Sequence, residues 1–140
     1  MTDEELVYRA GGAKNRAYAP YSGFEVGVAL LADGDVFDGA NVENASYGLS
    51  LCAERNAVAR AVLDGARDVQ VVAIFTDSSP PAPPCGMCLQ TLREFCKDPA
   101  SMRVLLANAK GEVTTHTLAQ LLPHGFKADD LPPRLVEVKE

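Results

Sequence analysis

The amino-acid sequence predicts an α/β fold in which a mixed five-stranded sheet is sandwiched by helices. Short apolar segments alternate with helical segments in the middle of the chain, which favours a mixed sheet flanked by helices. The 140 residues are near the commonest size for one domain, and no linker or internal repeat is visible. We therefore expect a single domain over residues 1–140.

The first third of the chain predicts a helix followed by a hairpin. Residues 3–17 predict the helix, because a capping-box pattern begins at Thr2 and apolar residues follow at helical spacing. Apolar segments at residues 24–32 and 36–42 predict two strands, and the Asp-Gly pair between them is a strong hairpin signal. Residues 43–51 carry Asn, Ser and Gly and predict a loop.

The next part of the chain predicts two crossover helices and three further strands. Residues 52–64 have an apolar face at helical spacing, and Gly65 is a typical C-terminal stop. The continuous apolar run at residues 69–75 predicts a buried strand. A proline-rich loop, a helix, two short strands and a helical turn follow at residues 76–84, about 85–96, 104–107, 113–117 and 118–122. If strands two to four run in one direction, right-handed crossovers place both helices on one sheet face with their N-termini side by side.

Charge and composition argue against several classes of function. The net charge of -6, without a cluster of Lys and Arg, argues against a sequence-independent grip on nucleic acid or an anionic membrane. The N-terminus shows no signal-peptide pattern, and no apolar stretch approaches the roughly 18 residues of a membrane span. We therefore expect a cytoplasmic protein. In that reducing compartment, cysteines serve as metal ligands or redox groups rather than as disulfides.

Three cysteines form a pattern typical of a catalytic metal site. Cys52 begins the second predicted helix, and Cys85 and Cys88 begin the third as a Cys-x-x-Cys pair. Three thiolates with an open fourth position distinguish a catalytic zinc site from a closed structural one, and zinc makes water at that position more acidic. Glu54 is placed to take the proton of this water. Arg55 and the helix N-termini would offset the negative charge of zinc with three thiolates.

Other interpretations of the cysteines remain open. A structural zinc site needs a fourth ligand, for which the chain offers Cys96, His116 and His124. Cys96 lies two turns beyond Cys88 on the same predicted helix and so points away, and both histidines are expected to be structural. A thioredoxin-like redox pair explains Cys85 and Cys88 but leaves the Cys-Ala-Glu segment unexplained. Cysteines can also be small buried apolar groups, which is the role that we expect for Cys96.

Further segments extend the pattern beyond the cysteines. The segments PYSGFEVG, NVENASYG, CAER and LLPHGF occur in this order, and the Cys-x-Glu … Pro-Cys-x-x-Cys pattern matches the signature of zinc nucleobase deaminases. Over residues 3–131 the chain resembles the small homotetrameric cytidine deaminases. The resemblance implies a cytidine deaminase-like fold with one Zn²⁺ per chain and Glu54 as the catalytic proton carrier. It also implies hydrolytic deamination of cytidine and 2′-deoxycytidine to uridine and 2′-deoxyuridine plus ammonia, in pyrimidine salvage.

The resemblance also implies contacts with the substrate. Phe24 would stack on the pyrimidine, Asn41 and Glu43 would hydrogen-bond the ribose hydroxyls, and Ala53 would offer its backbone to the ring. The i, i+2 spacing of Asn41 and Glu43 independently places both side chains on one side of the sheet. Without the resemblance, the residues leave open a core position for Phe24 and a solvated strand end for Asn41 and Glu43.

Several positions bear on how subunits complete the site. Tyr47 and Phe126 match positions that neighbouring subunits contribute to the pocket, which implies a homotetramer with shared active sites. Arg55 matches a residue that hydrogen-bonds the zinc thiolates. Pro83 departs from the small polar residue that is common there and affects the loop whose backbone accepts the leaving amine. Leu89 replaces a frequent Arg and removes a contact near the metal or between subunits.

The expected substrate is a free nucleoside. The chain has no Gly-rich phosphate loop and no Arg or Lys cluster near Asn41 or Glu43, and Glu43 would repel a phosphate. A polynucleotide-editing deaminase is disfavoured by the net charge and by the lack of a basic, aromatic-lined groove. The alternatives are a deaminase of a related cytosine nucleoside or antibiotic and, from another class, a redox or zinc-structural module.

Overall fold

The structure, a computed structural model, describes residues 1–132, so the predicted domain limit at residue 140 lies outside the described residues. The helices are α1 (Asp3–Lys14), α2 (Ala53–Leu63), α3 (Gly86–Glu94) and α4 (Leu118–Leu121). The strands are β1 (Gly27–Ala32), β2 (Asp35–Ala40), β3 (Val69–Thr76), β4 (Arg103–Asn108) and β5 (Val113–Thr117). Two 3₁₀ turns cover Tyr47–Leu49 and Ala128–Asp130.

One mixed sheet with the strand order β2-β1-β3-β4-β5 organises the described chain. Strand β1 pairs antiparallel with β2 and β3, β3 pairs parallel with β4, and β5 closes the edge antiparallel to β4. Strands β2, β3 and β4 therefore run in one direction. Helices α2 and α3 contact each other on one face and α1 packs on the other, so the predicted fold class is confirmed.

Two hydrophobic cores lie on the two faces of the sheet. The larger core joins one set of strand side chains to α2 and α3, and the smaller core lies under α1. Along β1, for example, Val28 and Leu30 belong to the larger core and Ala29 to the smaller one. Because successive strand residues point to opposite faces and both faces are covered, the central strands read as continuous apolar runs.

Two turns behave as their sequences predict. The hairpin between β1 and β2 turns at Asp33 and Gly34, whose φ angles of 49° and 88° lie in the left-handed region. Two successive positive φ angles match the right-handed twist of the strands, and Asp-Gly is a favoured pair for such a turn. Gly65 ends α2 with a φ of 97°, which costs a glycine little.

Several element ends predicted from the sequence are wrong, for identifiable reasons. Helix α1 ends at Lys14 rather than at residue 17, because Tyr18 pairs instead with the segment after β2, donating to Asn41 O and accepting from Glu43 N. Helix α3 ends at Glu94 rather than at residue 96, because the Phe95 carbonyl accepts the N–H of Val69 at the start of β3.

The predicted first and second strands are also shorter than expected. Strand β1 begins at Gly27 rather than at residue 24, and β2 ends at Ala40 rather than at residue 42. The Asn41 side chain takes the place of a strand there, since its Oδ1 accepts from Val26 N at 2.8 Å and its Nδ2 donates to Phe24 O at 2.8 Å. One backbone bond, from Asn41 N to Val26 O at 3.3 Å, continues the ladder, and the side-chain amide supplies the other hydrogen bonds between these two segments.

Over residues 1–132, none of the helices has the length and apolar character needed to cross a bilayer.

The packing of α2 on β2 can be tested at Gly39. A Cβ atom added there would lie 2.6 Å from both Ala53 O and Ala57 N, which are backbone atoms of α2. We expect Gly39→Ala to lower the free energy of unfolding by about 1–3 kcal/mol through overpacking. Urea denaturation followed by circular dichroism measures the change.

Gly12→Ala is the matched control, because a Cβ at Gly12 in helix α1 meets nothing within 4 Å. This variant is expected to gain about 0.5–1 kcal/mol from the lower entropy of the unfolded chain. A Gly39→Ala protein as stable as the Gly12→Ala protein would contradict the close contact of α2 with β2.

Candidate active site and metal centre

Two helix N-termini meet at the end of the sheet where β2 and β3 finish. Cys52 is the N-cap residue of α2 and Cys85 is the N-cap residue of α3, while Cys88 lies in the first turn of α3. The free N–H groups and the dipole at each N-terminus favour negative charge at these positions. The parallel course of β2 and β3 therefore brings three sulfur atoms to one place.

The distances between the sulfurs suit a tetrahedral metal. Cys52 Sγ lies 3.9 Å from Cys85 Sγ, Cys85 Sγ lies 3.4 Å from Cys88 Sγ, and all three fall within 4.8 Å of one another. A Zn–S bond of ~2.3 Å with tetrahedral angles separates two thiolates by about 3.8 Å. The donor set therefore fits Zn²⁺.

No fourth protein ligand joins this cluster among residues 1–132. Cys96 is buried in the larger core, beyond the end of α3, so it is a small apolar residue as expected. His116 lies on β5 and His124 lies in the segment after α4. A closed structural site is therefore not formed by these residues, and a fourth position is left for another ligand.

The protonation of the thiols explains why a cation belongs here. Burial raises the pKa of the Cys88 thiol strongly. Burial also raises the pKa of the Cys52 thiol, although the neighbouring Arg55 guanidinium acts to lower it. Burial opposes ionisation of Cys85 too, but the N–H groups of Cys88 and Met87 and the neighbouring thiols bring its pKa below the ordinary value. Thiolate ligands therefore need a cation that offsets both burial and their mutual repulsion.

Glu54 lies beside the cluster without belonging to it. The residue is 5% exposed, in the first turn of α2, and it lines the same cavity as Cys52 and Cys85. Burial raises the pKa of its carboxyl above the ordinary value. A carboxyl that binds a proton more readily, next to an open metal position, is suited to proton transfer.

Arg55 follows Glu54 on α2 and lies close to the Cys52 thiol. Its Nη2 donates to Ser50 O at 2.9 Å, while its Nε is buried with no hydrogen-bond partner among the described residues. A buried guanidinium N–H without a partner is costly. This N–H is free to donate to the cysteine thiolates, and such a hydrogen bond from Arg55 stays a prediction.

A cavity of about 350 Å³ opens in front of the sulfurs, within the usual range for small-molecule sites. Phe24, Asn41, Glu43 and Ala53 all contribute to its wall, as do Thr76 and the loop before Cys85. The structure thus places around one cavity the substrate-contact residues that a single chain is expected to supply. Phe24 is 44% exposed, so it is not a core residue in this chain.

The polar residues of the cavity wall are themselves tightly held. The Glu43 carboxylate accepts from Tyr21 N at 3.0 Å, from Ser22 N at 3.1 Å and from the Ser22 hydroxyl. These hydrogen bonds, those from Ser22 above all, lower the pKa of the Glu43 carboxyl. Asn41 and Glu43 are therefore placed by the backbone around Phe24 rather than free to rotate into solvent.

Two predicted site residues lie away from the cavity of their own chain. Tyr47 and Phe126 do not line it and are 76% and 54% exposed. The Tyr47 ring packs edge-on against Tyr21, at 6.2 Å between centroids. The Phe126 backbone is held at both its N–H and its C=O by the side chain of Gln90, at 3.1 and 2.7 Å.

Sequence reasoning missed three polar residues of the cavity wall, Ser22, Ser50 and Thr76, and left two departures open. Ser22 binds Glu43 and Phe24 N, and Thr76 is buried at the end of β3. The Ser-Gly pair before Phe24 was the available signal for a turn, whereas Thr76 had none. Pro83 lines the cavity, and Leu89 is buried in the larger core, so its side chain has an apolar role.

Known proteins share this sequence and geometry. Residues 1–103 match the family model described as the cytidine and deoxycytidylate deaminase zinc-binding region. The chain belongs to the cytidine deaminase family. A cytidine deaminase of Halalkalibacterium halodurans is 47% identical over 132 residues, which make up 94% of this chain and 98% of the relative. One from Sporosarcina psychrophila is 45% identical, over 94% of this chain and 96% of the relative.

A solved structure agrees with the cytidine deaminase assignment. The crystal structure of cytidine deaminase from Burkholderia pseudomallei has a TM-score of 0.85 and 44% identity, covering 90% of this chain and all of that one. The region matched by the family model contains Glu54 and the three clustered cysteines. The predicted family and the predicted zinc cofactor are both confirmed, whereas the role of each individual cysteine as a ligand stays a prediction.

The zinc site can be tested by replacing its sulfurs one at a time. We expect Cys85→Ser to reduce bound zinc from about one ion per chain to well below one after dialysis, because a hydroxyl rarely replaces a thiolate on zinc. Elemental analysis measures the metal, and circular dichroism checks the fold.

Cys96→Ala provides the matched control, since Cys96 is buried in the core outside the cluster. The variant should keep about one zinc per chain. Loss of zinc in Cys96→Ala, or full zinc in Cys85→Ser, would show that the ligands are not those of the cluster.

Proposed function

We propose that the protein catalyses hydrolytic deamination of cytidine and 2′-deoxycytidine to the uridine products plus ammonia, as a step of pyrimidine salvage. The observation that carries this proposal is a buried Glu54 carboxyl that shares one cavity with Cys52 and Cys85, two of the three clustered cysteines. Cytidine deamination is also the activity named for the relatives that match most of this chain.

The chain's own residues account for binding and for proton transfer. Zinc held by Cys52, Cys85 and Cys88 would act as a Lewis acid and make water acidic. Glu54 takes a proton from the water that adds to C4 of the ring and delivers it to N3. Glu54 then takes the proton of the new C4 hydroxyl and passes it to the exocyclic amine, so that the C4 carbonyl forms, the C4–N4 bond breaks and ammonia leaves.

Substrate orientation follows from the residues of the cavity wall. Phe24 offers a ring face on which a pyrimidine can stack. Asn41 and Glu43 lie on the same wall, where the anionic Glu43 is suited to accept hydrogen bonds from ribose hydroxyls. Because the 3′-hydroxyl is present in both sugars, contacts to it serve ribose and deoxyribose alike.

The charge of the cavity favours a free nucleoside over a nucleotide. Among the described residues that line the cavity there is no Lys, Arg or His, whereas Glu43 and Glu54 are both acidic. A phosphate would enter this site without a partner cation and against like charge. The family model covers deaminases of both cytidine and deoxycytidylate, and this lining supports the nucleoside branch.

We place this activity in a homotetramer with shared sites, in the cytoplasm. Tyr47 and Phe126 are large, exposed aromatics that do not reach the cavity of their own chain, so a second copy can supply them. The four cysteines of the sequence are all free, which suits a reducing compartment.

The role of Glu54 is tested by Glu54→Gln, which keeps the shape of the side chain but removes its ability to carry a proton. We expect about one zinc per chain and a loss of turnover of at least ~10²-fold, the usual contribution of general acid–base catalysis. The assay is the fall of cytidine absorbance, with elemental analysis in parallel.

Glu4→Gln is the control for that substitution, since Glu4 is exposed on α1, away from the cavity. It should retain full activity. An active Glu54→Gln protein would refute the proposed mechanism. Stoichiometric zinc in a wild-type protein without activity on any cytosine nucleoside would instead favour a structural metal site.

Shared sites predict complementation between two inactive subunits. Phe126→Ala removes the aromatic that a neighbour would supply, and Glu54→Gln removes the proton carrier of its own site. If Phe126 acts across a subunit contact, mixed tetramers contain some sites with both residues intact, and activity exceeds that of either variant alone. Unmixed variants and gel filtration provide the controls; a monomer mass or no recovery on mixing would contradict sharing.

A further inference from the structure

We propose that Lys14 is a positioning residue that holds together two segments of the cavity wall and thereby sets substrate affinity; in this respect the proposal rests on the proposed function. Lys14 contributes no atom to the cavity itself. It forms what we call the Lys14 ion cluster with Glu25 and Asp77.

The ion cluster closes the open end of the β1–β3 ladder. The last backbone partners there are Gly27 and Phe75. Two residues further out on each segment, Glu25 and Asp77 both lie within reach of one ammonium group. Lys14 Nζ lies 3.1 Å from Asp77 Oδ2 and 3.6 Å from Glu25 Oε1. Two carboxylates close together at the end of neighbouring strands repel each other, and the cation between them removes that repulsion.

Backbone packing fixes the position of Lys14. A Cβ added at Gly27 would lie 2.0 Å from Ala10 O and 2.3 Å from Lys14 N, so the last turn of α1 lies directly on β1. The Lys14 side chain is only 11% exposed, whereas those of Glu25 and Asp77 are 42% and 67% exposed. Because its side chain is largely buried, solvent and salt screen the attraction of Lys14 to both partners less than they would for a freely solvated lysine.

Both partners of Lys14 adjoin cavity residues. Glu25 stands between Phe24 and Val26, and Asp77 directly follows Thr76; these three neighbours all line the cavity. Asp77 also begins the loop that leads to Cys85. Without the cation, we expect the Phe24 side of the wall and the Thr76 side to move apart, which weakens substrate binding and leaves the proton carrier Glu54 in place.

Lys14→Met tests this role, because Met keeps most of the aliphatic stem and removes the charge. We expect KM for cytidine to rise about fivefold with kcat nearly unchanged. Lys14→Arg, which keeps the cation, should restore a near wild-type KM. Adding Glu25→Gln and Asp77→Asn to Lys14→Met removes the repelling charges and should recover part of the lost affinity.

Arg9→Met is the matched control, since Arg9 lies on the same helix and pairs with Asp38 at 3.1 Å, away from the cavity. It should leave KM unchanged. Asp77→Asn provides a second variant at an exposed position in case Lys14→Met does not fold, with an expected rise in KM of about twofold. An unchanged KM in both Lys14→Met and Asp77→Asn, or an equal rise in Arg9→Met, would overturn the proposal.

Hydrogen–deuterium exchange separates this proposal from the proposed function. In Lys14→Met, peptides covering residues 22–27 and 75–84 should exchange about tenfold faster, while β5 is unaffected. This readout does not depend on turnover. If the wild-type protein deaminates no cytosine nucleoside but exchange accelerates in these two segments of Lys14→Met, the proposed function fails. The role of the Lys14 ion cluster in holding the two segments together is then still supported. Unchanged exchange in both segments would overturn the ion cluster whatever the activity.

Discussion

The meeting of two helix N-termini is the constraint on which the rest of the site depends. Strands β2 and β3 run in the same direction, so the helices that precede and follow β3 both begin at one end of the sheet. Their N-cap positions are occupied by cysteines, and the sulfurs of these residues are 3.9 Å apart. Sheet topology thus places the clustered cysteines, and the partial positive charge of each helix N-terminus favours their negatively charged form.

The cavity beside these sulfurs is built where the sheet stops. One backbone bond, from Asn41 N to Val26 O, continues the pairing of β1 and β2 outward, and the Asn41 side-chain amide then joins the two segments at Val26 N and Phe24 O. Glu43 then holds the preceding turn through Tyr21 and Ser22. Side-chain hydrogen bonds thus take the place of a longer ladder, and the space beside them is the cavity that we propose binds the substrate.

This arrangement explains which parts of the structure the sequence could predict. The periodic segments, the Asp-Gly hairpin and the shared face of α2 and α3 follow from local pattern and the right-handed crossover rule. The clustering of Cys52, Cys85 and Cys88 follows from their positions at two helix starts, whereas their role as zinc ligands rests also on the deaminase signature. The ends of β1 and β2 could not be predicted, because Asn41 competes with the ladder only through contacts that are distant in sequence. Lys14 was missed for the same reason, since its partners at residues 25 and 77 belong to other elements.

The close contact of α2 with Gly39 has a consequence for redesign of the core. Where a helix rests on a strand backbone to backbone, the distance between them is set by main-chain atoms rather than by side-chain shape. Apolar residues deeper in the larger core, such as Val58 and Leu106, can then be exchanged for others of similar volume. We expect Cys52 and Glu54 to keep their distance from the sheet in such variants. The tolerance of the core to sequence drift and the precision of the metal site are therefore separate properties of this fold.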